Sequence, residues 1–294
     1  SSHIVGCRNE AAIDIGAYGR NIGGIVGSGS YGAGIENCGN SGAITSKDST
    51  GGIMGSGSVP ITACYNTGTI TAAGDDIGGI AGYTSQEIKN CYNTGAVTGA
   101  GAKNGVGGIV GRLNSAVSSY SNGKITGCLN TGAVTATSGT AAGAIVGQKT
   151  TANAAITRSY FKAGTCTQAI GGNPADGDEA ALATEAECGS KRLIGLLGGA
   201  FAAGSDGKLT LNWQDPAAKP VVTFVTPKGA AVTIEGQTPA EPGVFVLENG
   251  TYSYSVSKQG YNTATGSVTV NGESQRVDVN LGVETFSVTF NVTT

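Results

Sequence analysis

The 294 residues predict an all-β protein: a right-handed parallel β-helix, or solenoid, with a short helical C-terminal cap, followed by a small β-sandwich. Three observations carry that expectation. A glycine-rich unit recurs about every 27 residues over the first 160, short β-branched pieces separated by Gly and Asn fill each unit, and alternating strand-like segments take over beyond residue 220. Glycine supplies 51 residues against only 7 prolines, with no G-X-Y period, which excludes collagen and Pro-rich disorder and assigns the glycines to turns and close backbone approach.

The repeat comes in two halves. A Gly-Gly-Ile-x-Gly pentapeptide occupies 23–27, 51–55, 78–82 and 107–111, with a Gly-Ala-Ile variant at 143–147, at spacings of 28, 27, 29 and 36 residues. In the first three copies a second signature follows, entered by Ile35 before Cys38, Ile61 before Cys64 and Ile88 before Cys91. Ile4 before Cys7 shows that the chain opens inside a repeat. After the cysteine run Asn40, Gly42, Ile44 and Thr45, and then the same pattern at Asn66, Gly68, Ile70 and Thr71, at Asn93, Gly95, Val97 and Thr98, and at Asn130, Gly132, Val134 and Thr135. The fourth copy is reached through an extra short segment at 117–124, and a degenerate copy begins at Ile156 with Ser159 in the cysteine place.

A period of this length is too short for a propeller blade and too rich in β-branched residues for a helical repeat. Each unit is therefore read as one coil, with like residues stacked about 4.8 Å apart. Inward Ile and Val form aliphatic columns, each buried side chain contributing roughly 1.5–3 kcal/mol. The Asn residues can bond amide to amide along the stack, and Asn also tolerates the left-handed backbone of a sharp corner. Cys7, Cys38, Cys64, Cys91 and Cys128 fall in one column, expected as buried reduced thiols. Disulfides between coils are the alternative, disfavoured because side chains in such a column point the same way. No metal site is expected, since CxxC is absent and His3 is the single histidine.

Gly107-Gly108-Ile109-Val110-Gly111 and its relatives, with Cys-Tyr-Asn-Thr-Gly at 64–68 and 91–95, resemble the GLUG-motif repeats of bacterial cell-surface proteins. The resemblance covers residues 4–160 and implies an exported, surface-displayed repeat protein without implying a reaction. An export signal and an anchor are expected outside this sequence.

Residues 161–215 break the period and are similar to the terminal segment of such repeats. A helix over 179–197, with Leu193, Leu196 and Leu197 towards the last coil, and a strand over 208–213 are expected to close the solenoid, with Trp213 buried in this cap. Cys166 and Cys188 lie outside the column, and a bond between them is left open. Residues 216–220 read as a linker. Strands are then expected at 221–226, 231–234, 243–247, 250–256, 267–270 and 276–281, forming a sandwich over 221–282. Gly229 to Ile234, Asn249-Gly250-Thr251-Tyr252 and Lys258-Gln259-Gly260-Tyr261 resemble PEGA-like and carboxypeptidase-regulatory-like domains, which implies a spacer. The tail at 283–294 is either the opening of a further module or the last strand of this one.

Charged residues are 13% of the chain and the net charge is -3 with no basic run, so nucleic acid is not an expected partner. No apolar run approaches the roughly eighteen residues of a membrane span, and no insertion within this chain is expected. A Ser-His or Cys-His pair has only His3 to draw on. Carbohydrate chemistry on a β-helix needs converging carboxylates. The acids to weigh are Asp14, Asp48, Asp75, Asp76, Asp176, Asp178 and Glu179, mostly at loop tips, of which Asp48, Asp75 and Asp76 could share one edge. Asp176 to Glu179 suggests a cation site but lacks the spacing of a calcium loop, and is better read as an acidic helix start. The repeated Thr45, Thr71, Thr98 and Thr135 raise an ice-binding array, against which simple β-propensity is preferred.

Tyr65 and Tyr92 hold equivalent positions one coil apart, beside inward cysteines and therefore outward, and form the candidate ligand site as a two-ring strip. Packing under a loop or corner is the alternative. The expected function is non-catalytic adhesion or ligand binding at a bacterial surface, by a monomer without cofactor, towards a glycan or host protein. A carbohydrate-active enzyme is the rival.

Overall fold

A computed structural model describes residues 3–30, 32, 34–99, 104–115, 123–137, 141–151, 153–175 and 177–285. These are mostly strand and turn, as an all-β fold requires, and they divide into two compact units, Ser1–Ser190 and Lys191–Thr294. No helix among the described residues is long and apolar enough to cross a membrane.

In the first unit five parallel sheets grow by one strand per repeat. The repeat at 61–84 shows how: Ile61–Thr62, Tyr65–Asn66, Ile70–Ala72, Ile77–Gly78 and Ala81–Thr84 each enter a different sheet. Every one pairs with its counterparts in the preceding and following repeats, so that Ile35, Ile61 and Ile88 align, as do Asn40, Asn66 and Asn93. The aliphatic columns are buried, Ile61, Ile88, Ile125 and Ile156 along one sheet and Ile53, Ile80, Ile109 and Ile145 at the pentapeptide. The extra segment expected at 117–124 lies mostly outside the described residues.

The two halves of the repeat signature touch. Asn40, Asn66, Asn93 and Asn130 are fully buried, and each of the first three donates from Nδ2 to Oδ1 of the next at 2.7–2.8 Å. Asn9 enters the same chain through Asn40 at 2.7 Å. Each Nδ2 also reaches the carbonyl two residues on, as in Asn66 to Gly68 at 2.8 Å. The second glycine of each pentapeptide lies against this ladder: a methyl at Gly52 would collide with the Asn66 amide, and one at Gly79 with that of Asn93. The Asn amide and the carbonyl of the next repeat's second glycine together exclude a side chain there.

Left-handed backbone falls elsewhere than at the ladder asparagines. It occurs at the residue before each cysteine position, at Gly6, Asn37, Ala63, Asn90, Gly127 and Arg158, with φ between 46° and 70°. This corner joins the first two sheets, so the ladder asparagines themselves sit in strands.

The column thiols Cys38, Cys64, Cys91 and Cys128 are buried, and all seven cysteines are free, Cys166 and Cys188 included. A backbone N–H of one repeat donates to the sulfur of the next, Cys38 to Cys64 and Cys64 to Cys91 each at 3.4 Å. Ser159 ends the column, its Oγ accepting from Cys128 N at 3.2 Å.

The segment expected as helix over 179–197 is divided three ways. Ala180–Ala183 is a strand that extends the Tyr-Asn sheet beside Ser159–Lys162. Thr184 then caps helix α1 (Glu185–Cys188) through a reciprocal capping box with Glu187. Helix α2 (Lys191–Leu197) belongs to the second unit, where Leu193, Ile194 and Leu197 are buried, rather than to a cap on the repeats. Sheet pairing overrides the helix propensity of Ala180-Ala181-Leu182-Ala183.

The second unit has two three-stranded sheets sharing one core. Val244–Val246, Val221–Val225 and Gln275–Asp278 form one, and Ala231–Ile234, Gly250–Ser257 and Ala264–Val270 the other. Phe224 packs edge-on to Phe245 and Tyr254, with Val222, Ile234, Val256 and Val268 around them. Helix α2 docks on Val221–Val225 with Gly195 against Thr223, whose Oγ1 donates to Arg192 O at 3.1 Å. The Glu241 carboxylate accepts from the first two helix amides, Lys191 N at 2.7 Å and Arg192 N at 3.3 Å. The hairpin Phe201–Ala203 and Leu209–Leu211 follows, with Trp213 half-buried. Residues 216–220, expected as a linker, are tied in through Ala203 and Lys219, which exchange two backbone bonds at 2.9 Å. Of the tail at 283–294, residues 286–294 lie outside the described residues, and Val283 bridges to Tyr261.

Candidate functional site

The outward column of the Tyr-Asn sheet runs Arg8, Gly39, Tyr65, Tyr92, Leu129 and Tyr160 in register. Because Cys64 and Cys91 point into the core, strand alternation turns Tyr65 and Tyr92 outward, and both are half-buried. Their rings are 5.5 Å apart between centroids and 13° from parallel, so each lends a face to the other. On its other side Tyr65 leans over Gly39, where a Cβ would collide with the ring, and the Arg8 guanidinium stands 5.7 Å from its centroid. The strip therefore presents two stacked, half-buried rings beside the exposed Arg8, whose Nη1 also donates to Asn37 O at 3.0 Å. Arg8 escapes a reading of tyrosines alone, but its position directly after Cys7, as Tyr65 follows Cys64, carries the signal.

The acids fall into separate settings. Asp14 accepts from Gly16 N at 3.0 Å on an exposed strand end. Asp48 and Asp75 form a short ladder at one edge, Asp75 N donating to Asp48 Oδ1 and Asn104 N to Asp75 Oδ1, each at 3.0 Å, and Arg20 lies 3.3 Å from Asp48. Asp76, on the same edge, is 3% exposed and accepts from Arg112 at 2.7 Å. The Arg112 guanidinium stacks 4.7 Å from the Tyr83 centroid. Burial pushes the Asp76 carboxyl above its ordinary value, opposed by Arg112 and assisted by Asp75 and Asp48. Asp76 Oδ1 and Arg112 Nε are buried without a partner. The structure thus brings Asp48, Asp75 and Asp76 to one edge.

Asp178 is paired with Lys149, and Glu179 accepts from Arg158 N at 3.2 Å, while Asp176 lies outside the described residues. Glu179 adjoins a strand, so the acidic turn does not start a helix. No three His, Cys, Asp or Glu side chains among the described residues form a set of metal ligands. Burial pushes the Cys91 thiol up, away from the thiolate a nucleophile needs.

Comparison with known proteins bears on the second unit. Residues 224–284 match the PEGA domain. The PEGA match takes in both sheets except the first residues of Val221–Val225, and leaves α2 and the hairpin as additions before it. No curated protein matches the chain. Among solved structures, a proposed immunoglobulin A1 protease from Bacteroides ovatus is similar, with 20% identity and a TM-score of 0.47 over 68% of this chain. The chain spans 62% of that protein's length.

Proposed function

We propose that residues 1–190 form a right-handed parallel β-helix of GLUG-type repeats, that the PEGA domain is a β-sandwich spacer beyond it, and that together they act at a bacterial surface as a non-catalytic, monomeric glycan-binding adhesin. Coil-to-coil parallel pairing in five sheets supports the β-helix, and the right hand follows from the crossover rule for parallel strands.

One observation carries the functional reading: the repeat signature is spent inside. From Ile35 onward its Cys, Asn and Ile are buried, so recognition is assigned to outward positions that differ between repeats, with Arg8, Tyr65 and Tyr92 the most chemically distinctive set. Ring edges, phenolic hydroxyls and a guanidinium suit the hydroxyls of a saccharide, and an acidic sugar would also engage Arg8. The full chain is expected to bind members of a broad glycan array, with binding lost in the double variant Tyr65→Ala, Tyr92→Ala. Binding to mucin-free matrix protein alone, or to nothing, would sink the proposal.

A carbohydrate-active enzyme has one observation in its favour, the buried Asp76 with its raised carboxyl beside Asp75 and Asp48. It predicts new reducing ends or unsaturated products from a polysaccharide panel, lost in Asp76→Asn.

A further inference from the structure

Lys149 is the largest fully buried side chain among the described residues, and no water reaches its ammonium. It occupies an interior column, in register with Leu113, Thr84 and Gly57 of the preceding repeats. Its Nζ lies 2.8 Å from Oδ1 and 2.7 Å from Oδ2 of Asp178, whose side chain is only 7% exposed. Two hydrogen bonds, one from a backbone amide and one from a side-chain amide, hold the pair in place. Ala175 N donates to Asp178 Oδ2 at 2.8 Å, and Asn173 Nδ2 donates to Lys149 O at 2.7 Å.

We propose that Lys149 and Asp178 condense to an intramolecular amide that locks the last pentapeptide repeat to the segment closing the first unit. The geometry supplies what that step needs. A buried ammonium and carboxylate carry a desolvation penalty that the uncharged amide does not, and in the step one ammonium proton passes to Oδ1 as the C–N bond forms. Nζ attacks Cγ, the N–C bond forms, the Cγ–Oδ1 bond breaks, and Oδ1 leaves as water with two of the three ammonium protons. The third stays as the amide N–H. The reactant charges cancel, so no external acid, oxidant or activating group enters the balance.

Ala175 N–H already donates to Oδ2, the oxygen that becomes the amide carbonyl, and would stabilise negative charge there during attack. Holding amine and acid in contact replaces a bimolecular encounter, an advantage that reaches effective molarities of about 10⁵ M or more in well-oriented systems. The product retains a donor and an acceptor but no net charge, which suits a dry interior. The chain has no disulfide to perform the same service, all seven cysteines being free.

Intact-mass measurement of the purified full chain tests the proposal without a variant that must fold. The expected mass is about 18 Da, one water, below the sequence value. Tryptic digestion is expected to leave Lys149 uncleaved, in a branched peptide with the Asp178 segment. Lys149→Arg, which keeps the cation but cannot form this amide, is expected at its full sequence mass. A wild-type chain at full mass with Lys149 cleaved would overturn the proposal, as would the same water loss in Lys149→Arg.

Discussion

Asn66 illustrates how much one side chain carries in a stacked repeat. Its Nδ2 donates to Gly68 O and Asn93 Oδ1, and its Oδ1 accepts from Asn40. Asn66→Ala would remove the partner of one Asn40 Nδ2 proton, whose other proton stays on Gly42 O, and of Asn93 Oδ1 in a dry interior, each loss costing about 1–3 kcal/mol. A loss of about 2–4 kcal/mol is expected by denaturant titration. A cost below about 0.5 kcal/mol would show that the ladder contributes little.

Asp76 makes a second residue-scale prediction, through pH. Its carboxyl is raised in the folded state, so the native protein holds the proton more tightly than the unfolded chain. Its contribution to stability therefore falls as pH rises from the ordinary carboxylate value of 3.8 through the raised one. Asp76→Asn removes that dependence. Thermal melts are expected to show the variant gaining on wild type as pH increases across this window, and a constant difference would contradict the assignment.

At the scale of elements, the corner before the cysteine column is a recurrent strained feature. Asn37 and Asn90 occupy it in two repeats, but the repeat between them places Ala63 there at φ 50°. A β-carbon in left-handed backbone costs roughly 1–2 kcal/mol, which Asn partly recovers by local hydrogen bonding. Ala63→Asn is expected to raise stability by about 0.5–1 kcal/mol, measured as a shift in denaturation midpoint at unchanged slope.

Much of the stacking was legible in the sequence because aligned residues must repeat when strands pair one repeat apart. The Ile, Cys and Asn columns emerge from spacing alone, and so does the placement of Tyr65 beside Tyr92. What escaped was decided by contacts between unlike segments. Ala180–Ala183 carries neither Cys nor Asn and has the composition of a helix, yet Ser159–Lys162 offers it a sheet edge. Arg112 and Lys149 were invisible as partners of Asp76 and Asp178 because each stands where other repeats carry a different residue. The left-handed corner was misplaced for a related reason: Asn supplies both a ladder and a corner here, one by hydrogen bonding and the other by backbone tolerance.

At the scale of the whole molecule, the boundary between compact units at Ser190 and Lys191 has a direct consequence. A fragment starting at Lys191 keeps α2 and the hairpin on the two sheets, whereas one starting at residue 216 strips away the buried Leu193, Ile194, Leu197, Phe201 and Leu211. Each large apolar side chain removed forfeits roughly 1.5–3 kcal/mol of burial. The longer fragment is expected to unfold cooperatively, and the shorter to be poorly folded by circular dichroism and melting. Equal stability would place the boundary at 215 and 216 instead.

The central claim, that the repeat signature is consumed by a stacked interior and leaves recognition to the outward positions, is tested most directly by thiol labelling of the native chain. With an alkylating reagent and mass-spectrometric readout, exposed Cys7 is expected to react at once, and buried Cys38, Cys64, Cys91 and Cys128 only after denaturation, all as free thiols. Native labelling of those four, or their recovery as disulfides, would contradict the account.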